Sequence, residues 1–483
     1  MREVAEQVVI ERIRAENPWW RTGRIDTDVL NVRPRAYLRL FLRLAEMEEP
    51  RRALLLMGPR RVGKTWLIYH AIQSLIEGGG KPGQFCYVNV QNPLYNGLPL
   101  EKLLSLACEA AGTTVQERLF VCFDEIQYLR DWELHLKTLV DTYRSIKFVA
   151  SGSAAAALKL KSTESGAGRF TDFLLPPLTF YEYLDLQGQT GLVKIREPRK
   201  RGNRRQFSTP DIAELNDKFV HYLNYGGYPE VVFSPQIQAD PGRFVRGDII
   251  DKVLMKDLPS LYGIQDIQEL NSLFQSLTYN TAGEVSLEEL SRKSGVAKNT
   301  IKRYIEYLQS AFLIRAVHRV DRSAKRFQRA TRFKVYVTNP SLYCALFAPV
   351  GPDDPAMGSL VETAVFAQWF HHPTIELHYA RWNDGEVDIV RLDQALKPAW
   401  AIEVKWSDAC VKDPRQLKGL LRFCDDHVNC HASVTTRTIR RVKSFNKRRV
   451  EFVPVSLYCF VLGYNIIQSH IAIRASSVPP HKD

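Results

Sequence analysis

Gly58-Pro59-Arg60-Arg61-Val62-Gly63-Lys64-Thr65 fits the pattern G-x-x-x-x-G-K-[ST] and decides how the N-terminal part of the chain is read. The preceding run, Ala53-Leu54-Leu55-Leu56-Met57, reads as a buried strand, and Trp66-Leu67-Ile68-Tyr69-His70 opens a helix. In that strand–loop–helix context the glycines let backbone N–H groups curl around phosphate oxygens, and the helix N-terminus faces the same charge. Lys64 is expected to reach the β- and γ-phosphates, and the Thr65 hydroxyl to sit on Mg²⁺. The stretch therefore predicts binding of a nucleoside triphosphate, ATP with Mg²⁺, by residues 58 to 65.

Working outward, 483 residues exceed one ordinary core and imply several domains. An apolar fraction of 45% argues for packed globular units rather than disorder. Net charge is +13 with a pI near 9.3, which favours a polyanionic partner, nucleic acid before membrane. No window carries the uncharged apolar length of a spanning helix, and the charged start Met1-Arg2-Glu3-Val4 lacks a signal core. The run from Phe452 to Leu462 is too short to span and contains Pro454, so it reads as a strand pair. Eight scattered cysteines fit a reducing cytoplasm. Cys424, His427, Cys430 and His431 crowd together where a helix ends, without the longer loop that separates zinc ligand pairs, and read as a helix terminus. Trp19 and Trp20 are expected to pack against the core of the nucleotide-binding domain, with nucleotide stacking as the alternative.

Strands at Phe85–Val90, Leu119–Phe123 and Lys147–Ala150 alternate with helical patterns, as in a parallel α/β sheet. The acidic pair Asp124-Glu125 follows the apolar strand Leu119–Phe123 in a Walker B arrangement. Asp124 is expected to hold Mg²⁺ and Glu125 to polarise the attacking water. Ser153, in Ser151-Gly152-Ser153 at the next strand end, is a candidate γ-phosphate sensor or a plain turn residue. Arg169 is the local candidate for an arginine finger, in cis or in trans from a homo-oligomer; the other reading is a loop-anchoring arginine.

Gly58–Thr65, Phe123-Asp124-Glu125-Ile126-Gln127, Ser151-Gly152-Ser153, Gly168-Arg169, Pro177-Leu178-Thr179-Phe180-Tyr181-Glu182 and Gly226-Gly227-Tyr228-Pro229 form a set. As a set they resemble a prokaryotic AAA-type ATPase family. Members of that family carry a C-terminal domain of unknown function similar to restriction-endonuclease folds. The resemblance runs from about Trp19 to Leu462.

Residues 286 to 308 read as helix, Gly295-containing turn, and helix, with Leu287, Leu290, Val296, Ile301, Tyr304, Ile305 and Leu308 at packing positions. This leaves Lys298, Asn299, Lys302 and Arg303 for a DNA groove, and the strands Phe312–Val317 and Phe333–Val337 for a wing. From Lys298 to Lys334 eleven Lys or Arg stand against Glu306 and Asp321, a local balance of +9. Nucleic-acid contact and protein docking are both open to such an element. Residues 194 to 205 form a second basic stretch, read as a solvated or phosphate-contacting loop.

Asp388, in Gly385-Glu386-Val387-Asp388, and Ala401-Ile402-Glu403-Val404-Lys405 resemble the D…E-x-K arrangement of restriction-endonuclease-like domains. Asp388 and Glu403 would coordinate Mg²⁺, alternation places Glu403 and Lys405 on one strand face, and Lys405 would position or deprotonate water. Glu362 matches the acid such domains place before the sheet. An active nuclease and a nucleic-acid-binding or ion-paired relic are both compatible with these residues. The basic run Arg437 to Arg449 would suit a substrate backbone.

The expected architecture is α/β and multidomain. Residues 1–190 form a P-loop AAA-type domain with a helical prelude, 191–276 a basic loop and helical lid, and 277–340 a winged helix-turn-helix. Residues 341–470 form a PD-(D/E)xK-like domain, followed by a disordered tail at 471–483. The expected activity is ATP hydrolysis on DNA with the nucleotide state controlling a nuclease-like module. The alternatives are a non-catalytic ATP-dependent DNA-binding switch, or a protein-docking ATPase without nucleic-acid contact.

Overall fold

The computed structural model describes residues 5–153, 168–197, 205–325, 332–372, 374–445 and 448–473. By contact the chain divides into two units, the first ending at Pro176 and the second running from Pro177 to Ala472.

In the first unit, β1 (Ala53–Met57), β2 (Phe85–Asn89), β3 (Leu119–Asp124), β4 (Ile146–Gly152) and β5 (Phe170–Leu174) form one sheet in the order β2-β3-β4-β1-β5. Every pairing is parallel. Buried on both faces, β1 and β3 read as unbroken apolar runs rather than alternating ones, as parallel strands do. Helices α1 (Glu6–Glu16), α2 (Leu38–Glu46), α3 (Lys64–Glu77), α4 (Leu100–Ala111) and α5 (Trp132–Thr142) accompany the sheet. The loop of residues 58–63 leaves the C-terminal end of β1, and the same sheet edge receives Asp124 and Ser151 from β3 and β4. In an open parallel sheet that edge is where ligands bind. Trp19 and Trp20 are packing residues: both indoles donate to the Phe85 carbonyl at 2.9 Å.

The second unit is built on a nine-stranded mixed sheet. A short ribbon, β6 (Lys194–Arg196) with β7 (Gln206–Ser208), precedes it. Arg205 pairs with Glu197 at 2.8 Å, whereas Arg199, Lys200, Arg201 and Arg204 of the expected basic loop lie outside the described residues. The main sheet comprises β8 (Glu284–Ser286), β9 (Ile314–Val320), β10 (Arg332–Val337), β11 (Leu377–Trp382), β12 (Gly385–Leu392), β13 (Pro398–Glu403), β14 (His431–Thr436), β15 (Arg441–Phe445) and β16 (Arg448–Pro454). Its order is β15-β16-β14-β13-β12-β11-β9-β10-β8. The strands expected for a separate wing are thus continuous with those of the C-terminal segment, through β9 and β11 at Arg319↔Tyr379 and Val320↔Ala380.

The helices of this unit include α6 (Ile212–Tyr225), α7 (Ile267–Tyr279), α8 (Leu287–Ser294), α9 (Lys298–Ser310), α10 (Met357–Trp369), α11 (Lys418–Asp426) and α12 (Val455–Ile473). Leu360, Val361, Ala364 and Val365 of α10 share a core with Tyr336, Tyr379, Ile389 and Ile402. Leu420 and Phe423 of α11 share another with Val390, Ala401 and Val434. Successive residues Ala401 and Ile402 enter different cores because strand side chains alternate between faces.

Two motifs of the expected set meet within this unit. Leu178 N–H donates to Gly227 O at 2.9 Å, and the Tyr222 hydroxyl donates to Leu178 O at 2.9 Å. Thr179 caps the following helix reciprocally with Glu182. A Cβ on Gly227 would lie 2.4 Å from Ser341 Oγ, so only glycine admits this approach.

One expectation fails outright. Phe452–Leu462 is not a strand pair, because β16 stops at Pro454 and α12 begins at Val455. Leu457 and Phe460, one helical turn apart, are both buried. A short apolar run is compatible with either element, and burial decides it. α12 reaches Ile473, past the expected start of the tail; the rest of that tail lies outside the described residues. Among the described residues no helix is long and apolar enough to cross a membrane.

Lys147 supplies a test of the first sheet. It sits in β4 opposite Phe120, donates to Met47 O at 3.0 Å, and burial lowers its pKa to about 8. Its folded-state value lies below its unfolded one, so the penalty for burying the charge is fully present below pH 8 and fades as pH rises from the folded value toward the unfolded one. Lys147→Met should raise stability at pH 7 by roughly 1 kcal/mol, with the gain shrinking toward pH 10, as read by urea unfolding across pH.

Candidate functional site

The loop after β1 is held by its own backbone. Arg61 and Gly63 take positive φ angles of 64° and 90°, left-handed conformations of the kind from which anion-binding nests of backbone N–H groups are built. Gly58 is required for packing, because an added Cβ would lie 2.2 Å from Leu175 O. Lys64, 6% exposed, donates Nζ to Gly58 O at 3.0 Å and Pro59 O at 2.9 Å, spanning the loop it follows. Arg35, missed by the motif reading, is 5% exposed and donates to Val62 O at 2.7 Å and Pro176 O at 3.1 Å. It braces the loop from outside the motif, and no local pattern marks an arginine for that role.

Asp124 is the convergence point. Its Oδ2 accepts from Thr65 Oγ1 and Tyr87 OH, each at 2.7 Å. Its Oδ1 accepts from Ser151 Oγ and from the Glu125 N–H at 3.0 Å. Burial and the Asp124 charge push the Tyr87 phenol far above its ordinary pKa, so it stays a donor. Glu125 leaves β3 in the left-handed region, φ 53° and ψ 43°. That conformation is costly for a non-glycine residue and is found where the fold over-determines it. Its Oε2 accepts from Ser153 Oγ at 3.0 Å and from Gln127 Nε2. The structure therefore brings together Lys64, Thr65, Asp124, Glu125 and Ser153, and adds Gln127. A hydroxyl and a carboxylate meeting at 2.7 Å make a hard-oxygen pair suited to Mg²⁺.

Arg169 is not brought there. It lies at the start of β5, where its carbonyl accepts from Ala53 N–H at the opposite end of β1 from the loop. Its guanidinium, 43% exposed, pairs with Asp141. A strand of five residues spans over 10 Å, too far for this arginine to serve the loop of its own chain.

In the second unit, Lys298, Asn299, Lys302 and Arg303 are all exposed on α9, and their spacing places them on one helix face. The buried face carries Ile301, Tyr304, Ile305 and Leu308. Gly295, φ 74°, closes α8 before the turn. Much of the expected basic excess is neutralised within the unit. Arg319 and Arg332 lie 3.9 and 3.4 Å from Glu284, and Arg322 is paired with Asp426. Arg326 and Arg329 lie outside the described residues. In the other basic run, Arg437 pairs with Asp353 at 3.0 Å and Arg448 with Asp425 at 3.2 Å.

The expected wing lysine, Lys334, turns inward. Its side chain is 4% exposed, with Nζ 2.9 Å from Glu362 Oε1, 2.7 Å from Glu386 Oε1 and 3.7 Å from Asp388 Oδ1. Tyr336 OH also donates to Glu362 Oε1, at 2.6 Å. Asp388 Oδ2 accepts from Val404 N–H at 2.8 Å, and Lys405 Nζ donates to Glu403 Oε1 at 2.7 Å. Lys405 is further held by its N–H to Thr435 Oγ1 at 2.8 Å. Burial, then the neighbouring Asp388 charge, pushes Glu362 up to about 7 and raises Glu403 as well. Burial opposes the charge of Lys334, yet Glu362, Asp388 and Glu386 hold its pKa above the ordinary lysine value. Next to this cluster, Glu284 is 6% exposed and accepts from Tyr379 OH at 2.7 Å.

Glu362, Asp388, Glu403 and Lys405 thus do gather, but the three acids are not an open ligand cage. The ammonium of Lys334 stands against Glu362 and Asp388, and among the described residues no group of three or more His, Cys, Asp or Glu is arranged to hold a metal ion. The same holds for Cys424, His427, Cys430 and His431, where α11 ends at Asp426.

Comparison with known proteins gives a description for part of the first unit and a domain of unknown function for part of the second. Residues 50–184 match the model of an AAA domain family, and residues 216–353 match a domain of unknown function, DUF8612. The second match includes α7 to α9 and Lys334, and stops before α10 and β11–β16. Two proteins of Methanocaldococcus jannaschii, each described as uncharacterized, are 26% and 23% identical over 356 and 349 residues. Those alignments cover 71% of this chain and 71% and 72% of the relatives. A Walker-type ATPase of Pyrococcus abyssi superposes with a TM-score of 0.37 at 15% identity, over 66% of this chain and 99% of that one. Residues 50–184 are thus similar to an AAA domain, and the parallel sheet and phosphate-type loop of the first unit agree with that likeness.

Proposed function

We propose that this chain hydrolyses ATP and acts on DNA, its nucleotide state controlling the acid–lysine cluster of the second unit. The observation that carries the reading is the meeting of Lys64, Thr65, Asp124 and Glu125 at one sheet edge. The nest of N–H groups takes the phosphates, and Lys64 exchanges its loop carbonyls for β- and γ-phosphate oxygens. Thr65 and Asp124 would hold Mg²⁺, which when bound offsets charge developing on the phosphates. Glu125 accepts a hydrogen bond from the attacking water, and Gln127 and Ser153 fix the direction of its carboxylate. Ser153 thereby reports the γ-phosphate to the base. Arg169 would act as a finger only for a neighbouring copy in a homo-oligomer.

On DNA, Lys298, Lys302 and Arg303 neutralise phosphates while Asn299 faces the groove. In the acid–lysine cluster, Asp388, Glu403 and Glu362 would hold Mg²⁺ once the Lys334 ammonium no longer stands against them, and the metal would then supply Lewis-acid stabilisation of a phosphodiester under attack. The donor set is hard oxygen, and Glu403 Oε2 is buried without a hydrogen-bond partner, as suits a cation. Lys405, fixed by Glu403 and Thr435, positions the water. A second reading, a switch that binds DNA without cutting it, is favoured by one observation: Lys334 already neutralises the acids.

Incubating the protein with supercoiled plasmid, Mg²⁺ and ATP separates the readings. Lys64→Ala should abolish ATP turnover in either case. Lys405→Ala should abolish plasmid nicking and leave ATP turnover intact; retained cleavage would remove the nuclease assignment, and no cleavage by the unaltered chain supports the switch. Replacing Lys298, Lys302 and Arg303 with alanine should weaken DNA binding uniformly across sequences and reduce the salt slope by about 2–3. Binding unaltered by the triple change would assign α9 to protein docking.

A further inference from the structure

We propose that Lys334 is a built-in counter-cation, occupying among Glu362, Glu386 and Asp388 the place of a divalent ion, so that the site accepts a metal only when this lysine withdraws. The inference rests on reading the acid–lysine cluster as a metal-dependent site on DNA. It adds the device that keeps that site closed.

One ammonium lies within 3.7 Å of three carboxylates, and its side chain is 4% exposed. The Tyr379 ring lies beneath it, 5.4 Å away, and Tyr336 shares its Glu362 oxygen. A buried ammonium is sustained only by such acids, and the acids in turn only by such a cation. The two occupants exclude each other. Mg²⁺ draws oxygens to about 2.0–2.1 Å and repels a positive charge at that range, whereas the ammonium holds Glu362 and Glu386 at hydrogen-bond length and Asp388 somewhat further off. The acids are also incompletely served by lysines: Glu403 Oε2 is buried without a hydrogen-bond partner, although Oε1 has Lys405.

The cation and the acids are carried by different elements. Lys334 belongs to β10, which pairs with β8 and β9. Asp388 and Glu403 belong to β12 and β13, which pair with each other from Ile389↔Ile402 to Leu392↔Pro398. Glu362 is on α10. Because β10 is held between β8 and β9 and its Tyr336 also binds Glu362, the step is withdrawal of the Lys334 side chain alone, which converts a neutralised acid cluster into an acidic one.

The test uses Mn²⁺ as the probe on the full chain, read by calorimetric titration and by unfolding midpoint in EDTA and in Mn²⁺. Lys334→Met keeps the length and removes the charge. It should bind Mn²⁺ at least about tenfold more tightly than the unaltered chain, unfold earlier in EDTA, and recover in Mn²⁺. Adding Asp388→Asn should remove the gain, which assigns it to this cluster rather than to the Thr65–Asp124 pair. If the methionine variant does not fold, Lys334→Met with Glu386→Gln removes one charge of each sign and should show the same gain. Mn²⁺ affinity unchanged or weakened in the folded variant overturns the counter-cation. Tighter Mn²⁺ binding without plasmid nicking by any variant leaves the counter-cation standing and removes the nuclease reading. Nicking by the unaltered chain with no Mn²⁺ gain in the variant does the reverse.

Discussion

The carboxylate of Asp124 is the constraint on which the first unit turns. It is 2% exposed and takes four hydrogen bonds, from Thr65, Tyr87, Ser151 and the Glu125 N–H. Those donors come from the helix after the phosphate loop, from β2, from β4 and from the end of β3. A buried charge without such partners costs several kcal/mol, so the four contacts make this sheet edge one rigid object. Rigidity passes to function at the next residue. With its N–H committed to Asp124, Glu125 leaves the strand at φ 53° and its carboxylate is caught by Ser153 and Gln127. The base proposed for water activation is thus aimed by the same network that fixes the oxygens proposed to bind the metal, as preorganised catalysis requires.

The second unit is governed by a different balance, in which charges cancel internally. The chain carries +13, yet many cations of the basic segment serve the protein's own acids. Glu284 gathers Arg319, Arg332 and Arg381, and Lys334 serves Glu362, Glu386 and Asp388. Among the described residues, α9 keeps an exposed stripe for a polyanion, although Lys298 of that stripe also lies 3.2 Å from Glu288. This division explains how one segment combines a proposed DNA-facing surface with a buried ionic cluster. It also makes the two interdependent, because α9 leads through β9 directly into β10.

Features written locally were legible in the sequence. The phosphate loop, the acidic end of β3, and the two helices around Gly295 each depend on residues a few positions apart, and four of the five parallel strands follow from apolar runs bounded by turns, whereas β5, with its mixed Phe170-Thr171-Asp172-Phe173-Leu174, does not read as a strand from sequence. Features made by distant partners were not legible. Arg35 braces Val62 and Pro176, and Lys334 reaches acids from α10 and β12. A charge count over residues 298–334 could not tell a surface lysine from a buried one, since both look alike in composition. Arg169 follows a glycine turn near the motif in sequence, but the parallel crossover delivers it to the far end of the sheet. The start of α12 was misread for the opposite reason: after Pro454 the apolar residues fit either period, and only the surrounding core selects the helix.

The central claim is that the Asp124–Glu125 strand end turns a nucleotide-binding loop into a hydrolytic site, with Glu125 as the water-activating group. Steady-state ATP hydrolysis and nucleotide affinity, measured side by side on Glu125→Gln, test it most directly. The account predicts that turnover falls at least about a hundredfold while ATP affinity stays within a few fold, because the amide keeps the contacts of the side chain and loses only its basicity. Turnover retained by the glutamine variant, or lost only in step with affinity, would contradict it.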